Sequence, residues 1–501
     1  MSEIEERLAE LERLGLNRRL RLVSGPQGPT VLLDGAPVLL LCSNNYLGLA
    51  DHPRVREAAA EAAMRWGVGA GASRLVSGTM TIHGRLEERL ADFKRSQAAV
   101  LFGSGYLANI GVIAALAGRG DTVFSDELNH ASIVDGCRLA RAEVVVYRHR
   151  DVEHLAWSLE KHRRGGALIV TDSVFSMDGD VAPLEEIAEL AGAFGARLVV
   201  DEAHATGILG PGGRGAVAEA GLQREVDVVI GTLGKALGSY GAYACASAEM
   251  VRYLINTARP LIFSTAPSPP AIGGALAALG LLEQRPHRVQ RLHANARALR
   301  RALAAEGFPI DQSDMPITPL IVGEERAAMR LCQAALQRGV FAQAIRPPTV
   351  PSGSSRLRLA AMASHTQSEL ELAAGALGDA ARALGLAPEA MQAPAPERVA
   401  APELAEELDP AYGVERSGIA EPLRDALFDV AGPLGDAPFD VERDGELPEV
   451  AGADSPERWL AAASHEPPQT RAEQDPQRPK EPPRPNAPFD FERELSDARA
   501  A

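Results

Sequence analysis

A lysine between glycines is the residue in this sequence whose surroundings point most directly to chemistry. Lys235 lies in the glycine-rich segment 231–238 and follows an apolar run. A second apolar run, residues 198–200, ends in Asp201, and His204 follows three positions later. A lysine amine forms a Schiff base with the aldehyde of pyridoxal phosphate, and an aspartate keeps the pyridine nitrogen of that cofactor protonated. The sequence therefore predicts a pyridoxal phosphate site that contains Lys235 and Asp201.

Each of these residues also has an ordinary structural interpretation. A lysine in a turn is usually solvated, an aspartate after a strand often caps the next helix, and a single histidine such as His204 is more often structural. The glycines that flank Lys235 favour function, because they allow tight turns that hold the lysine at a strand end. Burial beside a cofactor would lower its pKa from the free value of about 10.4, so that the neutral amine could act as nucleophile and base.

A glycine turn earlier in the chain is a candidate phosphate site. The apolar run 98–102 is followed by Gly103-Ser104-Gly105-Tyr106-Leu107-Ala108, which indicates a strand, a turn and a helix start. Backbone N–H groups and the helix dipole could hold a phosphate there. The same segment matches the dinucleotide pattern G-x-G-x-x-A, with Asp126 placed for a ribose. That match falls in the middle of the strand series, however, and it leaves the lysine and the aspartate unexplained.

Two further strand ends carry polar side chains. His130 follows the run 122–125 and could stack on a planar cofactor or simply begin a helix. Ser176 lies in the segment 174–180, after a strand that ends at Thr171, and offers a hydroxyl group. Ligands of open parallel sheets bind at the carboxyl ends of the strands. We therefore expect four strand ends to meet at one ligand.

The elements around these residues alternate between apolar strands and helices. The buried-strand candidates are residues 98–102, 122–124, 144–146, 167–170, 198–200 and 226–230. This alternation predicts an α/β fold with a mainly parallel sheet sandwiched by helices. Before it we expect a short amphipathic helix that ends near Gly15 and two strands near residues 31–33 and 38–41. After the proline cluster 260–270 we expect one long helix at 271–305, and then strands at 318–322 and 356–359.

These patterns divide the chain into four parts. Residues 1–50 form an N-terminal helix and short strands, and residues 51–285 form a large α/β domain. Residues 286–384 form a smaller α+β domain, and residues 385–501 form a Pro/Ala/Glu-rich tail. The tail is predicted to be disordered, because its composition cannot bury enough apolar surface to offset the loss of chain entropy.

Charge separates the tail from the rest of the chain. Residues 385–501 carry 26 acidic and 11 basic side chains, a net charge of −15, whereas all 501 residues carry −16. The nearly neutral remainder argues against a nucleic-acid surface, which needs clustered Lys and Arg. A short element recurs in the tail at residues 426–430, 437–443 and 487–493. It suits a motif that binds an unknown partner, and chance similarity in a biased composition explains it equally well.

Cysteine usage and the N-terminus indicate the cellular compartment. The four cysteines are far apart and form no C-x-x-C pair, which argues against a zinc site, a disulfide framework or another metal centre. The acidic start of the chain is unlike a secretory signal, and no apolar run is long enough to span a bilayer. We therefore expect a cytoplasmic protein that does not enter a membrane.

The motifs around these residues resemble those of the α-oxoamine synthases, a family of fold-type I pyridoxal phosphate enzymes. The resemblance runs from about residue 5 to residue 384. It rests on residues 43–49, 129–132, 174–180, 201–204 and 232–235. It implies the fold-type I fold, pyridoxal 5'-phosphate as cofactor and a homodimer. The tail has no counterpart in the family.

The resemblance also implies a role for individual residues. Lys235 would form the Schiff base, Asp201 would contact the pyridinium nitrogen, and His130 would stack on the ring. Together with His204, these would be the catalytic residues. The other cofactor contacts would come from Gly105, Tyr106 and Thr232 at the phosphate, and from Ser176 and His204 at the ring or its hydroxyl. The substrate contacts would come from Arg18, Asn44, His130, Thr349 and Arg358, with Arg358 on the amino-acid carboxylate.

One segment narrows the substrate within the family. Residues 344–351, followed by 356–359, resemble the branch that condenses L-alanine with a pimeloyl thioester in biotin synthesis. The thioester would be carried by coenzyme A or by an acyl carrier protein. Three alternatives stay open: a related synthase such as glycine C-acetyltransferase, a nicotinamide-dependent oxidoreductase, and a non-enzymatic scaffold whose tail recruits partners.

Overall fold

The computed structural model describes residues 2–13 and 17–391. The predicted end of the first helix at Gly15 and the recurring tail element lie outside these residues. In the N-terminal part the structure has three strands and three helices before the main sheet. They are α1 (Glu3–Arg13), β1 (Val23–Ser24), β2 (Thr30–Leu33), β3 (Ala36–Leu40), α2 (Pro53–Trp66) and α3 (Thr81–Lys94).

The main sheet has seven strands in the order β4-β10-β9-β8-β7-β5-β6. The strands are β4 (Ala98–Phe102), β5 (Thr122–Asp126), β6 (Glu143–Tyr147), β7 (Ala167–Asp172), β8 (Arg197–Asp201), β9 (Val228–Thr232) and β10 (Ala242–Ala246). The helices between them are α4 (Gly105–Leu116), α5 (Ala131–Ala140), α6 (Val152–His162), α7 (Leu184–Phe194) and α8 (Ala216–Glu219). Six strands run in one direction, and β10 is antiparallel to both of its neighbours.

Helices cover both faces of this sheet, because successive strand side chains point to opposite sides. On one face, the strands pack with α4, α5 and a helix at Ala248–Thr257, through side chains that include Val100, Phe102, Val170 and Val199. On the other face, the strands pack with α2, α3, α7 and a helix at Pro269–Gln284, through side chains that include Leu101, Ile169, Leu198 and Val200. The predicted α/β sandwich with a mainly parallel sheet is therefore confirmed for the described residues.

Two details of the sequence prediction are wrong. The strand predicted at 226–230 begins at Val228, because Asp227 turns its Oδ2 to the N–H of Leu198 at 2.8 Å. The single helix predicted at 271–305 is two helices that break at Arg285–Pro286, where proline lacks the N–H that a continuous helix needs. The helices in this region are α9 (Ala248–Thr257), α10 (Arg259–Ile262), α11 (Pro269–Gln284) and α12 (His287–Ala305).

A smaller sheet follows, in the order β11-β14-β13. The elements are β11 (Ile317–Gly323), α13 (Glu325–Gln337), β12 (Val340–Phe341), β13 (Gln343–Ile345), β14 (Ser355–Ala360) and α14 (Gln367–Ala383). It packs with α12, α13 and α14 around a core of its own, and β12 pairs with β3 instead. The domain boundaries at residues 51, 286 and 385 stay predictions. Within the described residues, no helix has both the length and the apolar character needed to cross a bilayer.

Candidate active site

The site lies at the edge of the main sheet where the parallel strands end. Asp172 ends β7 and Asp201 ends β8, and the two residues are direct partners in the strand register. Thr232 ends β9 and pairs with Ala242, which also pairs with Phe102 at the end of β4. The antiparallel β10 therefore brings the turn after β4 next to the end of β9. The chain segments that carry the predicted cofactor residues all leave the sheet at this edge.

Lys235 follows β9 and contacts a histidine instead of a carboxylate. Its Nζ lies 2.6 Å from His204 Nε2. Removal from water lowers the pKa of Lys235 to about 8, while the nearby Asp201 and Asp172 oppose this shift. The usual value is 10.5. A far larger fraction of Lys235 than of a solvated lysine is therefore a neutral, nucleophilic amine near neutral pH.

A chain of hydrogen bonds continues from His204. Its Nδ1 lies 2.7 Å from the hydroxyl of Tyr46, which accepts a hydrogen bond of 3.0 Å from Nη2 of Arg358. Burial, and then the charges of Lys235 and Arg358, hold the pKa of His204 well below its usual range. A neutral imidazole thus separates the reactive amine from the cationic guanidinium.

Asp201 faces the same space as a hydrogen-bond acceptor. Its Oδ1 accepts the backbone N–H of Ala203 at 2.7 Å, and its Oδ2 accepts Nδ2 of Asn109 at 2.6 Å. The aspartate is 4% exposed. The two donors fix the orientation of the Asp201 side chain, and a carboxylate held in this position would stabilise a protonated pyridine nitrogen.

His130 stands at the start of α5, with its ring exposed. Its backbone N–H donates to Asp172 Oδ2 at 2.7 Å, and its Nδ1 accepts the backbone N–H of Ser132 at 3.2 Å. One side of His130 is exposed, and the rest is covered by surrounding protein. This partial burial lowers the pKa of His130, and the charge of Lys235 lowers it further, while the charge of Asp201 raises it. An exposed, mainly neutral imidazole fixed at its base is suited to stacking on a flat ring.

The predicted phosphate residues lie side by side at one end of the site. Helix α4 begins at Gly105, and the Ser104 hydroxyl accepts the N–H of Leu107 at 3.2 Å. A Cβ at Gly105 would come 4.0 Å from the Cβ of Thr232, so the glycine keeps this space open. The first N–H groups of a helix have no partner within it, which leaves those of Gly105 and Tyr106 for an anion. The Tyr106 hydroxyl itself donates to Asp135.

Ser176 meets Arg358 through its backbone. Nε of Arg358 donates to the carbonyl oxygen of Ser176, and the neighbouring Arg356 forms an ion pair with Asp178. Both arginines lie on β14 of the smaller sheet. These bonds fasten that strand to the loop after β7, and they place the Arg358 guanidinium near Lys235.

The remaining predicted substrate residues differ in position. Asn44 Oδ1 accepts the hydroxyl of Tyr46 at 3.2 Å, which connects it to the His204 chain. Arg18 and Thr349 are exposed. Their segments approach each other where Arg346 Nη2 donates to the carbonyl of Asn17 at 3.2 Å. The roles of these residues stay predictions.

Four residues of the site were missed as individual candidates: Tyr46, Asn109, Ser132 and Asp172. Asp172 ends β7 as Asp201 ends β8, so its strand position could have indicated it. Tyr46 lies within the motif 43–49, and Ser132 lies within the motif 129–132. No local signal marks Asn109, because its partner Asp201 is 92 residues away in the chain.

The arrangement fits pyridoxal phosphate and does not suggest a metal centre. A low-pKa amine, a carboxylate with fixed orientation, an exposed imidazole and a helix start face one space. These match the aldehyde, the ring nitrogen, the ring face and the phosphate of the cofactor. Within residues 2–13 and 17–391, no group of three or more His, Cys, Asp or Glu side chains is placed to hold a metal ion.

Known proteins resemble this chain over most of its length. The sequence profile of the class I and II aminotransferases matches residues 36–377. The 8-amino-7-oxononanoate synthase of Geobacter sulfurreducens is 52% identical over 382 residues, which are 76% of this chain and 98% of that protein. The synthase of the same name from Anaeromyxobacter dehalogenans is 53% identical over 366 residues, 72% of this chain and 92% of that protein.

Solved structures share the fold. A structure of SPT with PLP has a TM-score of 0.73 and 33% identity, and it covers 77% of this chain and 98% of its own. Serine palmitoyltransferase of Sphingomonas wittichii has the same TM-score and identity, and the match covers 76% of this chain and 97% of that one. The 8-amino-7-oxononanoate synthase of Francisella tularensis has a TM-score of 0.61 and 25% identity, and the match covers 70% of this chain and 99% of that one. These neighbours confirm the predicted fold class.

Proposed function

The chain belongs to the class I and II aminotransferase family, and we propose that it is a pyridoxal phosphate enzyme that condenses L-alanine with a pimeloyl thioester. The products are 8-amino-7-oxononanoate, carbon dioxide and a free thiol. The reaction is the one named for the relatives that are about half identical to this chain. The thiol is coenzyme A or an acyl carrier protein.

One observation carries the proposal: Lys235 is a partly buried lysine whose hydrogen-bond partner is His204 and not a carboxylate, and it lies at the edge of the sheet where Asp201 lies. A structural lysine is normally solvated or paired, because an isolated buried charge is costly. Here the protein lowers the pKa of the amine and prepares it for attack on an aldehyde. The nicotinamide alternative gives no role to this lysine.

The residues divide between holding the cofactor and holding the substrate. Pyridoxal phosphate, when bound, supplies an electron-accepting ring that delocalises negative charge from the substrate Cα. The helix start at Gly105 and the Thr232 hydroxyl would hold its phosphate, and Asp201 would hold the proton on its ring nitrogen. The ring of His130 would cover one face.

Arg358 would bind the substrate, and Lys235 would act on it as a base. The Arg358 guanidinium would bind the carboxylate of alanine, as it already lies between Ser176 and Tyr46. The neutral Nζ of Lys235 would take the proton from Cα, and its hydrogen bond with His204 would hold the amine in position. Fixing two substrates in this geometry supplies about 7 to 11 kcal/mol, more than the roughly 1.5 to 3 kcal/mol of one charged hydrogen bond.

A second copy of the chain is the expected partner. Large apolar side chains are exposed between α2 and α3, including Val68 at 75% and Val76 at 80%. This segment is joined to the residues before α11 by the bridge between Ser73 and Thr265. Exposed apolar groups so close together favour a protein interface. Light scattering on the purified protein should give twice the mass of one chain.

Product analysis tests the function. The purified protein with pyridoxal phosphate is incubated with one amino acid and one thioester, and the product is identified by mass spectrometry. L-Alanine with pimeloyl-CoA should give 8-amino-7-oxononanoate. Glycine with acetyl-CoA and serine with palmitoyl-CoA are the matched alternatives. A product only from one of these pairs would assign the chain to another branch, and no product from any acyl donor would refute the proposal.

A further inference from the structure

A hydrogen-bond chain connects the two residues that would contact the cofactor ring from different sides. Nδ2 of Asn109 donates to Asp201 Oδ2 at 2.6 Å and to the Ser132 hydroxyl at 2.8 Å. The Ser132 hydroxyl lies 2.7 Å from His130 Nδ1. Asn109 and Ser132 are each 1% exposed. Their burial limits competition from bulk water for these bonds.

The directions of these bonds follow from chemistry. An ionised carboxylate only accepts hydrogen bonds, so Asn109 must turn its NH2 group to Asp201. This orientation leaves Oδ1 of Asn109 buried without a partner in the structure. A flipped amide would place two acceptors 2.6 Å apart at Asp201. The unsatisfied oxygen is therefore the cost of donating to both Asp201 and Ser132.

The hydrogen-bond chain also determines which nitrogen of His130 carries a proton. The Ser132 oxygen accepts from Asn109, so its own hydrogen is free to point to His130 Nδ1. The backbone N–H of Ser132, which can only donate, points to the same nitrogen at 3.2 Å. With two donors directed at it, Nδ1 must be an unprotonated acceptor, and the proton of the neutral ring resides on Nε2.

We propose that Asn109 is a positioning residue that, through Ser132, holds the His130 ring neutral with its proton on Nε2. His130 then presents a hydrogen-bond donor to the ligand side while Asp201 keeps its negative charge. The interpretation of His130 and Asp201 as cofactor residues rests on the proposed function. The hydrogen-bond chain itself does not.

The other charged or titratable groups near His130 are Asp172, Asp201, His204 and Lys235. Asp172 accepts the backbone N–H of His130, and Lys235 and Asp201 act on its pKa in opposite directions. None of them forms a hydrogen bond with Nδ1 among the described residues. Ser132 does, through its N–H and its hydroxyl, and Asn109 orients that hydroxyl.

Nuclear magnetic resonance of histidine labelled with ¹⁵N tests the proposal directly, in both the cofactor-free and the cofactor-loaded full-length protein. Loss of signals in His130→Gln identifies the two ring nitrogens. We expect an unprotonated Nδ1 and a protonated Nε2 at neutral pH. A proton on Nδ1 would overturn the proposal whether or not the protein makes the expected product.

Kinetics then test the role of Asn109. In Asn109→Leu the Ser132 hydroxyl loses the donor that orients it, so its hydrogen is no longer held towards Nδ1 and protonation of His130 becomes easier. The acid limb of the kcat/KM profile should move to higher pH by about one unit. Ser132→Ala, a smaller change that keeps the fold, should move it in the same direction. The double variant should move it no further than the larger single change, because both act through one chain.

A second buried asparagine provides the control. Asn295 Nδ2 donates to the carbonyls of Met362 and His365 at 2.9 and 2.8 Å, and these bonds do not involve Asn109, Ser132 or His130. Asn295→Leu should lower the thermal midpoint and leave the acid limb in place. Equal shifts in Asn109→Leu and Asn295→Leu, or additive shifts in the double variant, would show that Asn109 is only structural.

Discussion

Two lysines, the buried Lys94 and the partly buried Lys235, contact the same short segment 201–204 and differ in the direction in which the protein shifts their pKa. Lys94 Nζ donates to the Glu202 carboxylate, to Thr206 Oγ1 at 2.8 Å and to the Arg214 carbonyl at 2.6 Å. Burial alone would lower its pKa, but the charge and hydrogen bond of Glu202, together with the nearby Tyr243, raise it above the usual value. Lys235 has the neutral His204 in that place, and its pKa falls to about 8.

The difference teaches that burial does not by itself make a lysine reactive. What decides is whether the nearest group is a carboxylate or a neutral imidazole. Each lysine also has a buried tyrosine nearby: Tyr46 contacts His204, and Tyr243 contacts Thr206 at 3.1 Å. Each environment therefore contains a lysine and a buried tyrosine, and both residue types can be substituted in the same way in the two places.

Removing the reactive lysine should have the largest effect. Lys235→Ala should lower kcat by at least about 10² to 10⁴-fold, since the nucleophile and the base for the Cα proton are both lost. In the wild-type protein, borohydride reduction followed by peptide mass mapping should find the cofactor mass on the Lys235 peptide. Cofactor mass on the Lys94 peptide instead would reverse the assignment of the two lysines.

Removing the structural lysine should affect folding. Lys94→Met leaves Glu202 as an uncompensated buried charge, so the free energy of unfolding should fall by about 3 to 5 kcal/mol. The measurement is urea denaturation followed by circular dichroism. The double variant Lys94→Met/Glu202→Gln should recover most of the loss. A single variant as stable as the wild type would show that the pair does not stabilise the fold.

The two tyrosines provide a smaller and more specific test. Tyr46→Phe removes the hydroxyl between His204 and Arg358, and the loss of about 1.4 kcal/mol should lower kcat/KM about tenfold. Tyr243→Phe removes a hydroxyl of similar burial beside Thr206 and should leave kcat/KM within about twofold of the wild type. Steady-state kinetics of both variants decide the matter. Similar losses in the two would contradict the distinct roles of the two lysines.

The smallest expected effect is a shift in pH dependence. Only the neutral amine of Lys235 attacks the cofactor aldehyde, so cofactor uptake by the apo-protein should accelerate as pH rises through about 8 and then level off. Asp201 raises the pKa of Lys235, so Asp201→Asn should move the midpoint to lower pH by about one unit or less. Stopped-flow absorbance measures the rate. A midpoint near 10.5 in the wild type would mean that Lys235 is not perturbed.

Local sequence patterns sufficed to predict the strand ends that carry the site. Asp201 and Lys235 stand at the ends of apolar runs, and the carboxyl ends of parallel strands lie at one edge of a sheet. Strand β10 was missed because its sequence, AYACA, has no β-branched residue to indicate a strand. Its position between β4 and β9 is what brings Gly105 beside Thr232.

Contacts between distant segments could not be predicted in the same way. The bond of Asn109 to Asp201 and that of Lys94 to Glu202 join residues 92 and 108 positions apart. Each of these side chains occurs in an ordinary helix in the sequence. Their partners are determined by how helices α3 and α4 cross the two faces of the sheet, which no short-range pattern specifies.

The tetrapeptide Asp201-Glu202-Ala203-His204 joins the two lysine environments within one turn of chain. Its first and last residues serve the reactive amine, and its second residue secures the core through Lys94. Glu202 and His204 are two positions apart, so a substitution at Glu202 that shifts the backbone also shifts the imidazole beside the reactive amine. Redesign around Glu202 for greater heat resistance should therefore be monitored by turnover as well as by melting temperature.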